Sequence, residues 1–127
     1  MEVSPSLSLK KSQSPSPQKE KSEKEIQKEI LAYLKAKGVF AWTDVQGSFQ
    51  HSYNTKETEG QSDIQGILSE GVNKGRFLGI EVKARGGKLR PKQELWLNRA
   101  RESGAFVFIA FSLDDVITTF KEHGIRR

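Results

Sequence analysis

The alternation in Gly79-Ile80-Glu81-Val82-Lys83 constrains this chain more than any other stretch. Successive side chains of a strand point to opposite faces, which sends Ile80 and Val82 one way and Glu81 and Lys83 the other. One face is fit for an apolar core. The other carries a carboxylate beside an ammonium, and Gly79 next to them reads as room for a ligand. Lys83 then opens the run Lys83–Lys92, which holds five basic residues and no acid. An acid next to a base at the mouth of a basic loop points to a metal site aimed at a phosphate.

A chain of 127 residues forms one domain with a modest core. Its hydrophobic fraction of 35% is low for a chain folded throughout, which points to an unfolded part. Residues 1–21 fit that part. They are rich in Ser, Pro, Lys and Gln, carry Ser-Pro at Ser4, Ser14 and Ser16, and have almost nothing to bury. A disordered tail over 1–21 and a folded domain over 22–127 are the expected division. The net charge of +5 and pI near 9.5 suit a polyanionic partner. The absence of cysteine excludes disulfides, thiolate nucleophiles and Cys-type zinc sites. With no signal-peptide pattern and no run of membrane-spanning length, the folded part is expected to be soluble, intracellular and free of membrane partners.

Ser22 and Glu25 form a capping box, and Ile26, Ile30, Tyr33 and Leu34 recur at helical spacing up to a stop at Gly38, which predicts a helix over 22–37. Val39–Val45 is β-branched and aromatic and reads as a strand. The polar stretch 46–61, which includes His51, is long for a structureless loop in a small domain and reads as functional or mobile. Asp63–Leu68 and Phe77–Lys83 read as the strands of a hairpin around Gly71, Asn73 and Gly75. Pro91 opens a second helix to about 103, closed by Gly104. The apolar run Ala105–Phe111 predicts a strand buried on both faces, and Ser112 caps a last helix through His123. The order is α-β-β-β-α-β-α, an α/β fold with a mixed sheet flanked by helices.

Hairpin geometry brings Asp63, at the start of one strand, to the same edge as Glu81, near the end of its neighbour. Two carboxylates that converge raise each other's pKa unless a cation lies between them. Lys83 is one such cation, and a hard divalent ion held by oxygen ligands is another. That donor set favours Mg²⁺, with Mn²⁺ as substitute, over zinc. Arg85, Lys88, Arg90 and Lys92 read as phosphate contacts, which supply affinity without sequence preference. Trp42 and Trp96 read as core or dimer contacts rather than platforms for bases.

Asp63, then Glu81-Val82-Lys83, then Gln93 opening a helix, resembles the PD-(D/E)XK nuclease superfamily, whose fold is restriction-endonuclease-like. More narrowly, Gly75-Arg76-Phe77 through Glu81-Val82-Lys83, then Gly87-Lys88-Leu89, Pro91 and Gln93, resembles the VRR-NUC (virus-type replication-repair nuclease) domain. The resemblance spans roughly 22–122. It departs from the family pattern at Ser62, where proline is usual before the motif aspartate. What it implies is a metal-dependent, structure-specific DNA endonuclease that acts on branched DNA, a Holliday junction or a flap, in replication or repair. The small stand-alone members resemble Holliday-junction resolvases, which implies a homodimer in the cytoplasm of a prokaryote or a phage-infected host. Asp63 and Glu81 would hold the metal with the carbonyl of Val82. Lys83 would serve the nucleophilic water, Gln93 would support the site, and Glu23 on the first helix would be an outer ligand, with Glu25 and Glu29 as rivals. The alternative is a DNA-binding module of the same fold with little catalysis.

Overall fold

The computed structural model describes residues 20–43 and 59–125. Residues 1–19 of the expected tail, and His51 with most of the long polar loop, lie outside the described residues. Helix α1 (Glu23–Ala36) begins as its sequence predicts: the Ser22 hydroxyl accepts from the Glu25 amide, and the Glu25 carboxylate accepts from the Ser22 amide. Its stripe of Ile26, Ile30 and Leu34 is buried. After it come β1 (Phe40–Thr43), β2 (Ile64–Ile67), a 3-10 turn (Gly71–Asn73) and β3 (Phe77–Val82). Helix α2 (Pro91–Glu102), β4 (Phe106–Ala110) and α3 (Leu113–Glu122) complete the order α-β-β-β-α-β-α. The last two residues expected for β1, 44 and 45, lie outside the described residues. No helix among those described is long and apolar enough to cross a membrane.

The strands form one mixed sheet in the order β1-β2-β3-β4. The first three are antiparallel neighbours, and β4 joins β3 in parallel through the α2 crossover. Directly paired residues share a face, so the register sorts the core into two layers. Ile64, Leu68, Leu78, Ile80 and Val82 pack with α1 and with Val116 and Phe120 of α3. On the opposite face, Leu97 of α2 packs with Ala105 and Val107, and Phe77 and Trp96 lie against them. The central strand β3 is therefore covered on both faces, and everything from Leu78 to Lys83 is buried.

One sequence reading is qualified here and one is overturned. β4 is covered on both faces, with Phe106 and Phe108 against one layer and Val107 and Ile109 against the other, but it is an edge strand, and Phe106, Phe108 and Ile109 stay half-buried because no fifth strand lies beyond them among the described residues. Gly79 does not leave room for a ligand. A Cβ there would lie 2.8 Å from Ser62 Oγ and 2.9 Å from Val107 Cγ1, so the space is already filled by the fold. Gly79→Ala should therefore destabilise the protein by about 1–3 kcal/mol through overpacking. Urea unfolding should show a lower midpoint with an unchanged slope.

Candidate active site

The site forms where the β2–β3 ladder ends. The pairing of Ile64 with Ile80 is its last rung, which sets Asp63 opposite Glu81 on the face that α2 covers. Asp63 then takes over the work of the missing rung: its Oδ2 accepts the backbone N–H of Val82 at 2.8 Å. Just before it, Ser62 is fully buried, and its hydroxyl donates to the Ile64 carbonyl at 3.1 Å. The backbone on both sides of Asp63 is thus held, and its carboxylate is aimed along the sheet end at Glu81.

Glu81 is 1% exposed, unusual for a carboxylate. Both partners that meet it engage the same oxygen. Gln93 Nε2 donates to Oε2 at 2.8 Å, and Lys83 Nζ stands 3.7 Å from it. The other oxygen, Oε1, is buried and receives no donor. Gln93 is held in turn because its Oε1 accepts the N–H of Arg90, one turn back at the helix start, at 2.9 Å. Its amide is therefore oriented with NH₂ toward Glu81. Lys83 is held by the Gly86-Gly87 turn, in which the Gly87 N–H donates to the Ala84 carbonyl at 2.8 Å. A Cβ on Gly87 would touch Lys83 Cβ at 3.4 Å, so this glycine lets the turn close over the lysine stem.

The electrostatics follow from this crowding. Burial, first, and then the charge of Asp63 push the Glu81 carboxyl up to about 8. Asp63 is raised as well, chiefly by burial, although the Val82 N–H opposes the shift. Of the two, Glu81 is the group held protonated, because its burial and the charge of Asp63 both oppose its ionisation and two anions cannot settle there together.

Glu23, exposed in the first turn of α1, raises both groups by its charge. Its rivals have other partners: Glu25 caps the helix, and Glu29 pairs with Lys21. Among the described residues, no three acids or imidazoles come close enough to hold one ion together, so Glu23 stands outside the pair. The basic residues form an exposed rim. Arg85 lies 3.6 Å from Glu20, Lys92 lies 3.2 Å from Glu59, and Lys88 and Arg90 are exposed. Exposed pairs of this kind add little stability.

Gly60 shapes the site without any signal in its sequence context, and Ser62, which stands where proline is usual, gives no sign there of its buried hydrogen bond. Gly60 has φ +79, and a Cβ there would lie 2.3 Å from the Lys92 carbonyl oxygen and 2.9 Å from the Gln93 nitrogen. The end of the polar loop thus rests directly on the first turn of α2. Such a contact joins segments far apart in the chain, and a lone glycine in a polar loop does not announce it.

The donor set fits a hard divalent ion. It is all oxygen, it includes a buried carboxylate oxygen without a donor, and its two acids repel each other in the absence of added positive charge. The main chain at Val82 is part of the same cluster through its N–H. An open mixed sheet with helices on both faces and acids gathered at the end of its central hairpin is a restriction-endonuclease-like fold, the class of a nuclease. The family model of the VRR-NUC domain matches residues 5–112, and the chain belongs to that family. A solved structure described as a VRR_NUC domain protein is similar with a TM-score of 0.62 and 18% identity, over 86% of this chain and 98% of the other. At that identity the likeness concerns the fold. No curated protein matches the chain.

The raised Glu81 pKa makes stability depend on pH in a definite direction. Between the ordinary value of 4.5 and about 8, the folded protein retains a proton that the unfolded chain has released. Stability is therefore full below that window and falls as pH rises through it. In metal-free protein, Tm should drop by several degrees from pH 5.5 to 8.5. Glu81→Gln should flatten this dependence and melt higher than wild type at pH 8.5.

Proposed function

We propose that the chain is a Mg²⁺-dependent endodeoxyribonuclease, with Mn²⁺ as substitute, that cuts branched DNA, a Holliday junction or a flap, in replication or repair. The observation that carries this reading is the pair of buried carboxyls, Asp63 and Glu81, with one oxygen lacking a donor and Lys83 beside it. A binding protein gains nothing by holding two acids where phosphate must approach. Asp63, Glu81 and the carbonyl of Val82 would hold the ion, with Glu23 acting through water. When bound, a divalent cation supplies positive charge against a phosphodiester oxygen and lowers the pKa of water.

The residues of the chain divide the remaining work. Lys83, on its covered stem, presents an ammonium that orients the attacking water and stabilises negative charge growing on the phosphorus oxygens. Water adds to phosphorus, and the bond to the 3′ oxygen breaks, leaving a 5′-phosphate and a 3′-hydroxyl. Gln93 keeps Glu81 turned toward the site through its bond to Oε2. Arg85, Lys88, Arg90 and Lys92 bind neighbouring phosphates, whatever the sequence.

Cleavage of a panel of four-way junction, flap, splayed-arm and linear DNA tests the reading. Asp63→Ala and Lys83→Ala should each lower the rate at least about a hundredfold while junction binding persists. Chelation should abolish cutting. Equal activity in wild type and both variants would sink the assignment.

Two cuts in one junction require two active sites, which favours a homodimer of C2 symmetry. An apolar patch supports it: Phe40, 65% exposed, meets Trp42 edge-to-face at 5.2 Å, and Ile67 pairs with Phe40 across the strands. This part of the sheet face lies beyond the reach of α2. Light scattering should give a mass of two chains for wild type and of one chain for Phe40→Glu. A wild-type monomer bound to a junction would refute the dimer.

A further inference from the structure

Helix α2 has a second face with its own chemistry. Gln93 and Leu97 are its buried stripe. Lys92, Leu95, Trp96, Arg99 and Ser103 fall three or four positions apart and share the neighbouring face. With Glu59 they line a cleft of about 260 Å³. It begins at Lys92, one residue from the amide that holds Glu81, and leads away from the acids along the helix. Lys92 and Arg99 are about 10 Å apart along the axis at 1.5 Å per residue, with the indole between them.

The lining has the character of a single-strand binding groove. Leu95 is 60% exposed, a large apolar side chain on a surface otherwise dominated by charge. Trp96 is half-buried and leans edge-to-face on Phe77 with centroids 6.1 Å apart, so its ring is fixed in place before any ligand arrives. Arg99 is exposed and has no ion pair among the described residues. Lys92 is paired with Glu59 at 3.2 Å, but both side chains are exposed and the pair adds little stability. A fixed aromatic flanked by cations recognises nucleotides whose bases are free to stack, because every base offers a π-face and every link a phosphate. A base-paired duplex hides those faces.

We propose that this cleft binds an unpaired stretch of DNA running from the active site, with a base stacked on Trp96 and flanking phosphates on Lys92 and Arg99. The proposal rests on the nuclease reading and narrows its substrate to DNA with a single-stranded arm next to the scissile bond. In the free protein, the Glu59 carboxylate stands where a phosphate would bind Lys92, and it must yield. Unpaired DNA is thereby set against an internal competitor that can be removed by mutation.

Binding can be read without cutting. The chain has two tryptophans, so Trp42→Phe leaves Trp96 as the sole indole reporter. In chelator, titration with oligodeoxythymidine should quench its fluorescence, whereas a blunt hairpin duplex should bind at least tenfold more weakly with little quenching. Arg99→Ala should weaken binding and lower the salt slope by about one. Glu59→Gln should strengthen it. Should replacement of Trp96 disturb folding, Leu95→Glu on the exposed rim should block the oligonucleotide in a normally folded protein. Saturable oligonucleotide binding without quenching, or equal quenching by the duplex, would overturn the proposal. Cleavage of the branched panel without quenching would refute the cleft and leave the nuclease standing; quenching without cleavage under any metal would do the reverse.

Discussion

A carboxylate buried to 1% exposure with only one of its oxygens served is the constraint on which the rest of this structure depends. A charge so poorly solvated is costly even with Lys83 3.7 Å away, and the group responds by taking up a proton. The charge of Asp63 raises Glu81 further. The surrounding features keep this arrangement from relaxing. Gly79 lets Ser62 and Val107 close in on the strand, Gly87 lets the loop close over Lys83, and the first turn of α2 brings Gln93 to Glu81 Oε2. The fold holds two acids together without supplying enough charge for both to ionise.

Much of this was legible from residue patterns because the determinants are local. The capping box, the helical stripe of α1, the strand alternation of β3 and the proline that opens α2 each act within a few residues. The meeting of Asp63 and Glu81 follows from hairpin pairing, which is nearly local too. The unread parts are contacts between segments far apart in sequence. The burial of Glu81 and Lys83 depends on α2 crossing their face, which alternation alone leaves exposed. Gly79 reads as space because its neighbours Ser62 and Val107 come from other strands. The run of β4 reads as fully enclosed because its composition says nothing of its place at the edge of the sheet.

Charge is divided between centre and rim, and the division tells what each group can do. Lys83 is buried beside Glu81, so its field acts at short range in a poorly screened space. Arg85, Lys88, Arg90 and Lys92 are exposed, so they act over a Debye length and weaken as salt rises. Such a rim draws in a phosphate backbone but does not choose among phosphates. Choice must come from shape, or from groups that read something other than charge. The net charge of +5 therefore explains attraction and leaves selection to the surfaces around the site.

Helix α2 is where those two tasks meet. Its inner face holds Gln93 against Glu81, its outer face carries Lys92, Trp96 and Arg99, and Gly60 rests on the backbone between Lys92 and Gln93 with no space for a Cβ. A helix of 12 residues is a stiff body, so a ligand that shifts its outer face by a fraction of an ångström must also shift the Gln93 amide. The same holds for movement of the loop end at Glu59 and Gly60. The bond from Gln93 to Glu81 is short and directional, and it is the strongest tie on the only served oxygen of that carboxylate. A ligand held on the outer face would thereby be coupled, through the helix, to the alignment of the acids inside.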